Sequence, residues 1–428
     1  MDSQPGQPPP WPPQQPQQPQ EPQQPQAWPQ PGQPTPQSGP VQPGPVQPGP
    51  VQPGPVQPGP WGPGPWGAGP PQSWSPEQPP PWGQYPPPWA QAPYGMPAPP
   101  TPRVVAAPPG VPFHQLARTA LHRWWRPPVG TLFLLAVGFL TTSGVLIAWG
   151  IVHLRVTGDL PDTQGDQIFP DPTEDLAATL VILGALIPVV LLTVWVVQRR
   201  PAGSVISVLN RLRWRWLLAC CLPALGYLAV SYGLSLALDS VIATDETDPG
   251  AWVGWEQFVV PALVILLLVP FQSAAEELVF RGWLVQAIGA YAPAPVDGNG
   301  LAQTVRALLR SPWPALVISS VLFVSAHGYT GWAMADIFLF AMTIGWLTIR
   351  TGGVEAAIAL HALNNIPAFL LPAAVGRLDS WADQGGAHWS ILAVDIPALA
   401  FYAISVQWLA GRRQLDRLTP ADTRSLRP

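Results

Sequence analysis

From residue 113 onward the chain alternates long apolar runs with short polar segments, a spacing far longer than the period of an amphipathic helix or strand. Eight runs approach the length of about 20 residues that a helix needs to cross roughly 30 Å of hydrocarbon. They cover 130–152, 176–197, 216–238, 257–280, 313–328, 332–349, 354–374 and 390–410, the fifth being short. Backbone groups in hydrocarbon must satisfy one another, so such runs fold as helices. The pattern predicts an all-α, polytopic membrane helix bundle of about eight transmembrane helices.

The polar segments carry a second pattern. Arg118, Arg123 and Arg126 precede the first run, and Asp159, Asp162, Asp166, Asp171, Glu174 and Asp175 follow it. Arg199, Arg200, Arg211, Arg213 and Arg215 follow the second, and Asp239, Asp245, Glu246 and Asp248 follow the third. Arg306 and Arg310 come after the fourth, Arg350 after the sixth, and Arg412, Arg413 and Arg417 after the eighth. Arginine on alternate sides predicts a multi-pass protein of the cell membrane with both termini cytoplasmic.

The first 112 residues break the pattern. They hold 42 of the 62 prolines and four charged residues, Asp2, Glu21, Glu77 and Arg103. Val41 to Pro60 is four copies of Val-Gln-Pro-Gly-Pro, and seven tryptophans (Trp11, Trp28, Trp61, Trp66, Trp74, Trp82, Trp89) punctuate the stretch. Proline at this density removes donors and fixes φ, leaving polyproline II and disorder. The predicted organisation is a disordered Pro/Gln/Gly/Trp-rich cytoplasmic tail (1–112), an eight-span membrane domain (113–410) and a short Arg-rich cytoplasmic C-terminal tail (411–428). The N-terminal tail reads as a spacer, or as a docking segment for a Pro-recognising binding partner. It shows no basic region followed by an apolar core, so no signal peptide is expected.

Composition changes the picture little. The net charge of −4 and the lack of a basic patch point away from nucleic acid. All 20 basic residues are arginine, which with the Ala, Gly and Pro excess suggests a bacterial source of high GC content. Cys220 and Cys221 are adjacent in an apolar run and read as packing residues rather than a disulfide.

The candidate chemistry begins at Phe271-Gln-Ser-Ala-Ala-Glu276-Glu277-Leu-Val-Phe280-Arg281-Gly282. Charge inside a membrane costs roughly 2.5–3.5 kcal/mol per residue, so an ionisable cluster there suggests function. Glu277 and Arg281 stand four apart, the spacing and order of a helical ion pair. Glu276 is turned about 100° away and lacks that partner; a buried carboxylate of this kind suits general acid–base work. Taken alone, the cluster also fits a structural ion pair at the end of a span. His327 lies in Phe323-Val-Ser-Ala-His327, and His361 precedes Asn364 and Asn365 by about one turn. Polar groups on three separate spans are cheapest to bury facing one another. Two imidazoles, a carboxylate and a carboxamide can activate water and stabilise an oxyanion, which suits amide hydrolysis.

Glu-Glu-x-x-x-Arg at 276–281, Phe-x-x-x-His at 323–327 and His-x-x-x-Asn at 361–365 resemble the three signature motifs of the CPBP family, the CAAX-prenyl-protease-like and bacteriocin-processing (Abi) intramembrane proteases. The resemblance covers about 190–370. It implies an intramembrane endopeptidase acting on a peptide or membrane-protein substrate in the lipid bilayer. Glu276 is implied as the acid/base acting on water with His327, and His361 with Asn365 as the pair binding a second water, a metal or the oxyanion. Glu277 and Arg281 are implied as the supporting pair. The family is described both as zinc-dependent and as using a glutamate-activated water; Glu276, His327 and His361 would be an acceptable zinc ligand set.

Two other readings fit the residues. A non-catalytic membrane scaffold would use the motifs to hold the bundle and the tail to recruit others. A proton-coupled transporter would use Glu and His as a relay, although no internal repeat is visible. One geometric tension accompanies the protease reading. Straight helices drawn from hydropathy put Glu276 near one membrane face and His327 at the other end of span five. Continuing span four, tilted, through Leu278–Ile288 would bring Glu276 to mid-membrane. The expectation is that Glu276, His327 and His361 converge in a water-accessible cavity.

Overall fold

The computed structural model describes residues 102–161, 167–239, 250–293, 300–379 and 385–421, all within the unit Pro86–Pro428. The predicted tail therefore lies outside the described residues as far as 101, as do Asp162, Asp166, Asp245, Glu246 and Asp248.

Helix ends follow local chemistry. Arg126–Thr157 (α1) opens on Pro127 and Pro128, where the first turn needs no amide donor, and stops at Gly158 with φ 85°. Pro172–Gly184 (α2) is capped by Asp171, whose carboxylate accepts from Glu174 N at 2.7 Å. Asp175 accepts from the amides of Ile168 and Phe169 at 2.7 and 3.0 Å. The acidic segment after span one thus contributes a helix N-terminus, where negative charge complements the dipole. Leu186–Val196 (α3) completes this span.

Trp214–Asp239 (α4) is followed by Trp255–Glu277 (α5), a π-helical stretch Leu278–Leu284, and Val285–Gly289 (α6). These last three form one path of 35 residues from Trp255 to Gly289. At ~1.5 Å per residue that is roughly 50 Å, long enough to tilt and still keep Glu276 inside the apolar layer. Span four thus runs past the boundary of 280 set by hydropathy.

Leu301–Arg310 (α7) and Trp313–Ser325 (α8) meet at a bend of 54°. The segment with Arg306 and Arg310, placed between spans by its charge, is therefore helical. Its Leu and Val positions recur at helical spacing, but ten residues are too few to stand out in a hydropathy reading. Trp332–Thr351 (α9), Glu355–Ala374 (α10) and Ser390–Arg412 (α11) complete the set. Among the described residues seven helices are long and apolar enough to cross a membrane, or eight if the bent pair is one span.

Four buried apolar clusters hold the described helices together. Helix α10 packs against α5 and α4, and α11 against α4 and α9. The α10 N-terminus is tied down by Arg213, which makes a two-pronged pair with Glu355 (Nε–Oε1 2.7 Å, Nη2–Oε2 2.6 Å). Outer faces are the reverse of a soluble protein: Leu132, Leu135, Phe139 and Leu140 on α1, Leu218 and Leu222 on α4, and Leu266 and Leu267 on α5 are exposed. In lipid such faces are required. This is a multi-pass membrane protein.

The two expected tail boundaries shift. Val105 N bonds Arg199 O at 2.9 Å, Gly110 N bonds Thr419 O at 2.9 Å, and Pro112 bridges Leu418. Residues 102–112 and 413–419 therefore pack as part of the membrane domain. Proline content hid the first; a few backbone bonds are enough to hold an extended segment.

Candidate active site

The π-helical stretch is where the site is built. A π turn holds one residue more than an α turn, and such turns recur at functional sites. Val285 N–H reaches back to Phe280 O, and Ser319 Oγ donates to the same carbonyl at 2.7 Å. The widened backbone is held from two sides. Gly282 lies against Val205, where an added Cβ would come within 2.8 Å of the carbonyl oxygen. Trp283, 1% exposed, sits over Gly130 and donates from Nε1 to Thr131 Oγ1 at 3.2 Å.

Just before the turn, Glu277 is fully buried and accepts from two groups. Arg281 Nη1 donates at 2.9 Å and His361 Nδ1 at 2.7 Å. The guanidinium of Arg281 also lies 4.1 Å from the centroid of Phe323. A carboxylate that takes the Nδ1 hydrogen fixes the imidazole tautomer and leaves the lone pair on Nε2. That Nε2 faces Glu276 Oε2 at 3.7 Å, just beyond hydrogen-bond length. Two adjacent carboxylates thus flank one imidazole.

Glu276 is 13% exposed and is not left without a partner: Gln272, one turn earlier, donates from Nε2 to Oε1 at 2.5 Å. Gln272 Oε1 in turn accepts from Asn365 Nδ2 at 3.4 Å. Gln272 carries no role in the sequence reading, although its position four residues before Glu276 on one helix face is the signal that could have found it.

His327 comes near by another route. Its Nδ1 donates to Phe323 O at 2.8 Å, so Nε2 carries the lone pair. The Phe323 ring packs on both imidazoles, with centroids 4.6 Å from His327 and 5.9 Å from His361. Phe280 meets Phe323 edge to face at 5.1 Å, and Tyr329 stacks on His327 at 5.8 Å. The structure thus joins Glu276, Glu277, Arg281, His361 and Asn365 through polar contacts and His327 through aromatic ones. Among the described residues no three His, Cys, Asp or Glu side chains are arranged to hold a metal ion. His327 Nδ1 is turned onto its own helix end.

A cavity of about 450 Å³ opens beside this cluster, lined by Tyr329 and Asn364 and, further along, by Tyr227, Ser231, Asp336 and Asp395. Asp336 and Asp395 are buried acids inside α9 and α11 that the sequence reading passed over. Each is a single acid in an apolar run, which was the available signal.

Residues 256–367, which contain all six candidate residues, match the family described as type II CAAX prenyl endopeptidase Rce1-like. The motif resemblance therefore holds over the segment that carries the site. The chain is also 27% identical over 239 residues to an uncharacterized Bacillus subtilis (strain 168) protein named YyaK, covering 55% of this chain and 74% of that relative. No solved structure matches.

Proposed function

From the match of residues 256–367 to the Rce1-like CAAX prenyl endopeptidase family, we propose that this protein is an intramembrane endopeptidase in which Glu276 is the general base. The observation that carries the reading is the pair of contacts on His361, to Glu277 at 2.7 Å and towards Glu276 at 3.7 Å. Glu277, neutralised in part by Arg281, orients the imidazole. A water held between Glu276 and His361 Nε2 would be polarised by both. It gives its proton to Glu276 as its oxygen bonds to the peptide carbonyl carbon. Asn365, whose carboxamide is oriented through Gln272, offers an N–H to the oxyanion. Collapse breaks the C–N bond, and the amine nitrogen takes a proton by way of Glu276 or His327.

The substrate is a peptide or membrane protein that reaches the site from within the bilayer. On the arginine pattern both termini are cytoplasmic, and the helix ends around Tyr329, Trp332 and Ser390 face the opposite side. The arginine-only basic composition supports a bacterial source.

The test is proteolysis of a panel of peptides and membrane-protein fragments by the full chain in nanodiscs, wild type beside Glu276→Gln. General-base loss should lower cleavage by ~10²–10⁴-fold, with the thermal midpoint unchanged because Gln272 can still bond the amide. Equal cleavage by both proteins would remove Glu276 from the mechanism and return the cluster to a structural role.

A further inference from the structure

The cavity beside the active site has chemistry of its own. Asp336 is 5% exposed and Asp395 9% exposed, and their carboxyl groups face one another within hydrogen-bonding reach. Two carboxyls bond to each other only if one carries a proton. The surrounding donors fall unequally. Tyr227 OH lies 3.2 Å from both oxygens of Asp395, and Ser231 Oγ lies 3.4 Å from one of them. Asp395 is therefore furnished as the carboxylate and Asp336 as the carboxylic acid that donates to it. Asp336 Oδ1 then remains as a buried acceptor without a partner on the wall of the cavity.

A buried acceptor without a donor is destabilising until something supplies one. A negative charge beside it favours a donor that is itself positive. The mouth of the cavity is reached past Tyr232 and His388, which are exposed, so the acids can be approached from outside the bundle. At its inner end Tyr329 lines the cavity and stacks on His327, and Asn364, within 3.3 Å of Tyr227 OH, immediately precedes Asn365. The cavity thus abuts the residues proposed to cleave the peptide.

We propose that this cavity is a substrate subsite that takes a basic side chain, the guanidinium or ammonium of an arginine or lysine close to the scissile bond. Asp336 Oδ1 accepts one N–H, and Asp395 supplies the countercharge. About 450 Å³ is room enough for such a side chain. The inference relies on the endopeptidase reading for the identity of the substrate, while the site itself stands on its own residues. Tyr227 and Asp395 lie outside the segment 256–367 that matches the family, so the subsite joins that segment to flanking helices.

The test uses the full chain in nanodiscs and two probes of one shape, butylguanidinium and its neutral counterpart butylurea, read by isothermal titration. Saturable binding of butylguanidinium, at least about tenfold tighter than butylurea, is expected in wild type and in Glu276→Gln. Asp336→Asn should erase about tenfold of that preference, the effect of one charge-assisted hydrogen bond. Should that variant fail to fold, Ser235→Leu fills the cavity from its rim without touching either acid and should abolish binding. Equal binding of the two probes to wild type, or an unchanged preference in Asp336→Asn, would overturn the site. In the cleavage panel, wild type should favour peptides with Lys or Arg at one fixed position from the cut, and Asp336→Asn should lose that bias. Guanidinium preference without any Glu276-dependent cleavage would defeat the endopeptidase reading and the substrate assignment together, yet leave a cation site.

Discussion

The two acidic clusters of this protein, Glu276 with Glu277 on α5 and Asp336 with Asp395 on α9 and α11, both meet residues of α10, and they solve opposite problems. Around Glu277 the charges alternate in sign: an arginine and a histidine meet one carboxylate, with Glu276 held apart by Gln272. Around Asp395 no cation is present among the described contacts; a second acid, two hydroxyls and an amide surround it. The asparagine pair divides between them, Asn365 to Gln272 and Asn364 to Tyr227. A cluster that carries its own counterions is locked. One that satisfies its charge with hydroxyls and a shared proton keeps room for a visiting cation.

The largest effect that would sharpen this contrast comes from Glu277→Ala. Removing the anion leaves Arg281 buried without its partner, a loss of about 3–5 kcal/mol in unfolding free energy together with loss of cleavage. A variant as stable as wild type would mean that the locked cluster is not locked. Tyr227→Phe should cost less, about 1–2 kcal/mol, because Asp395 loses one donor of several. Asp336→Asn should cost under about 1 kcal/mol, since an amide can still donate to Asp395. A cost equal to that of Glu277→Ala would erase the distinction between the clusters.

The smallest effect lies outside both. His114, in the loop before α1, is buried against Arg310 O, and burial holds its imidazole below the ordinary value of 6.5. The unfolded chain then binds the proton first. Stability is complete above pH 6.5 and declines as pH falls from there towards the lower folded value. Thermal midpoints measured between pH 7.5 and 5.5 should drop, and His114→Gln should show a shallower drop. Parallel curves would mean that the acid sensitivity resides elsewhere.

Much of this was legible from the chain. Among the described residues seven of the eight apolar runs became helices long enough to span, and the short fifth run became one half of a bent pair, because lipid imposes a length that sequence can display. Glu277 with Arg281 was legible because a helix fixes what four residues apart means. The convergence of His361 on the Glu pair was expected, but which carboxylate it would bond was not, since Glu276 and Glu277 differ only in the direction a helix turns them. Asp336 and Asp395 were present as single acids in apolar runs, but their meeting depends on α9 packing against α11, and no local pattern encodes that. The turn at Leu278–Leu284 was invisible for another reason: its residues are as apolar as those of the helix around it, and hydropathy does not register how many residues make a turn.

That turn has a consequence for how the sequence can change. Five residues that would close an α-helical ring are joined there by a sixth, so the halves of span four are offset from the phase of an unbroken α-helix. Glu277 and Trp283 point where they do only because of this offset. Closing the turn as a plain α-helix with all its residues kept would rotate everything on one side by about 100° relative to the other. The carboxylates would keep their sequence and lose their address, while substitutions at the same positions would leave the phase intact. The extra residue and the wide turn are therefore constrained together, each keeping the flanking side chains in place only in the presence of the other.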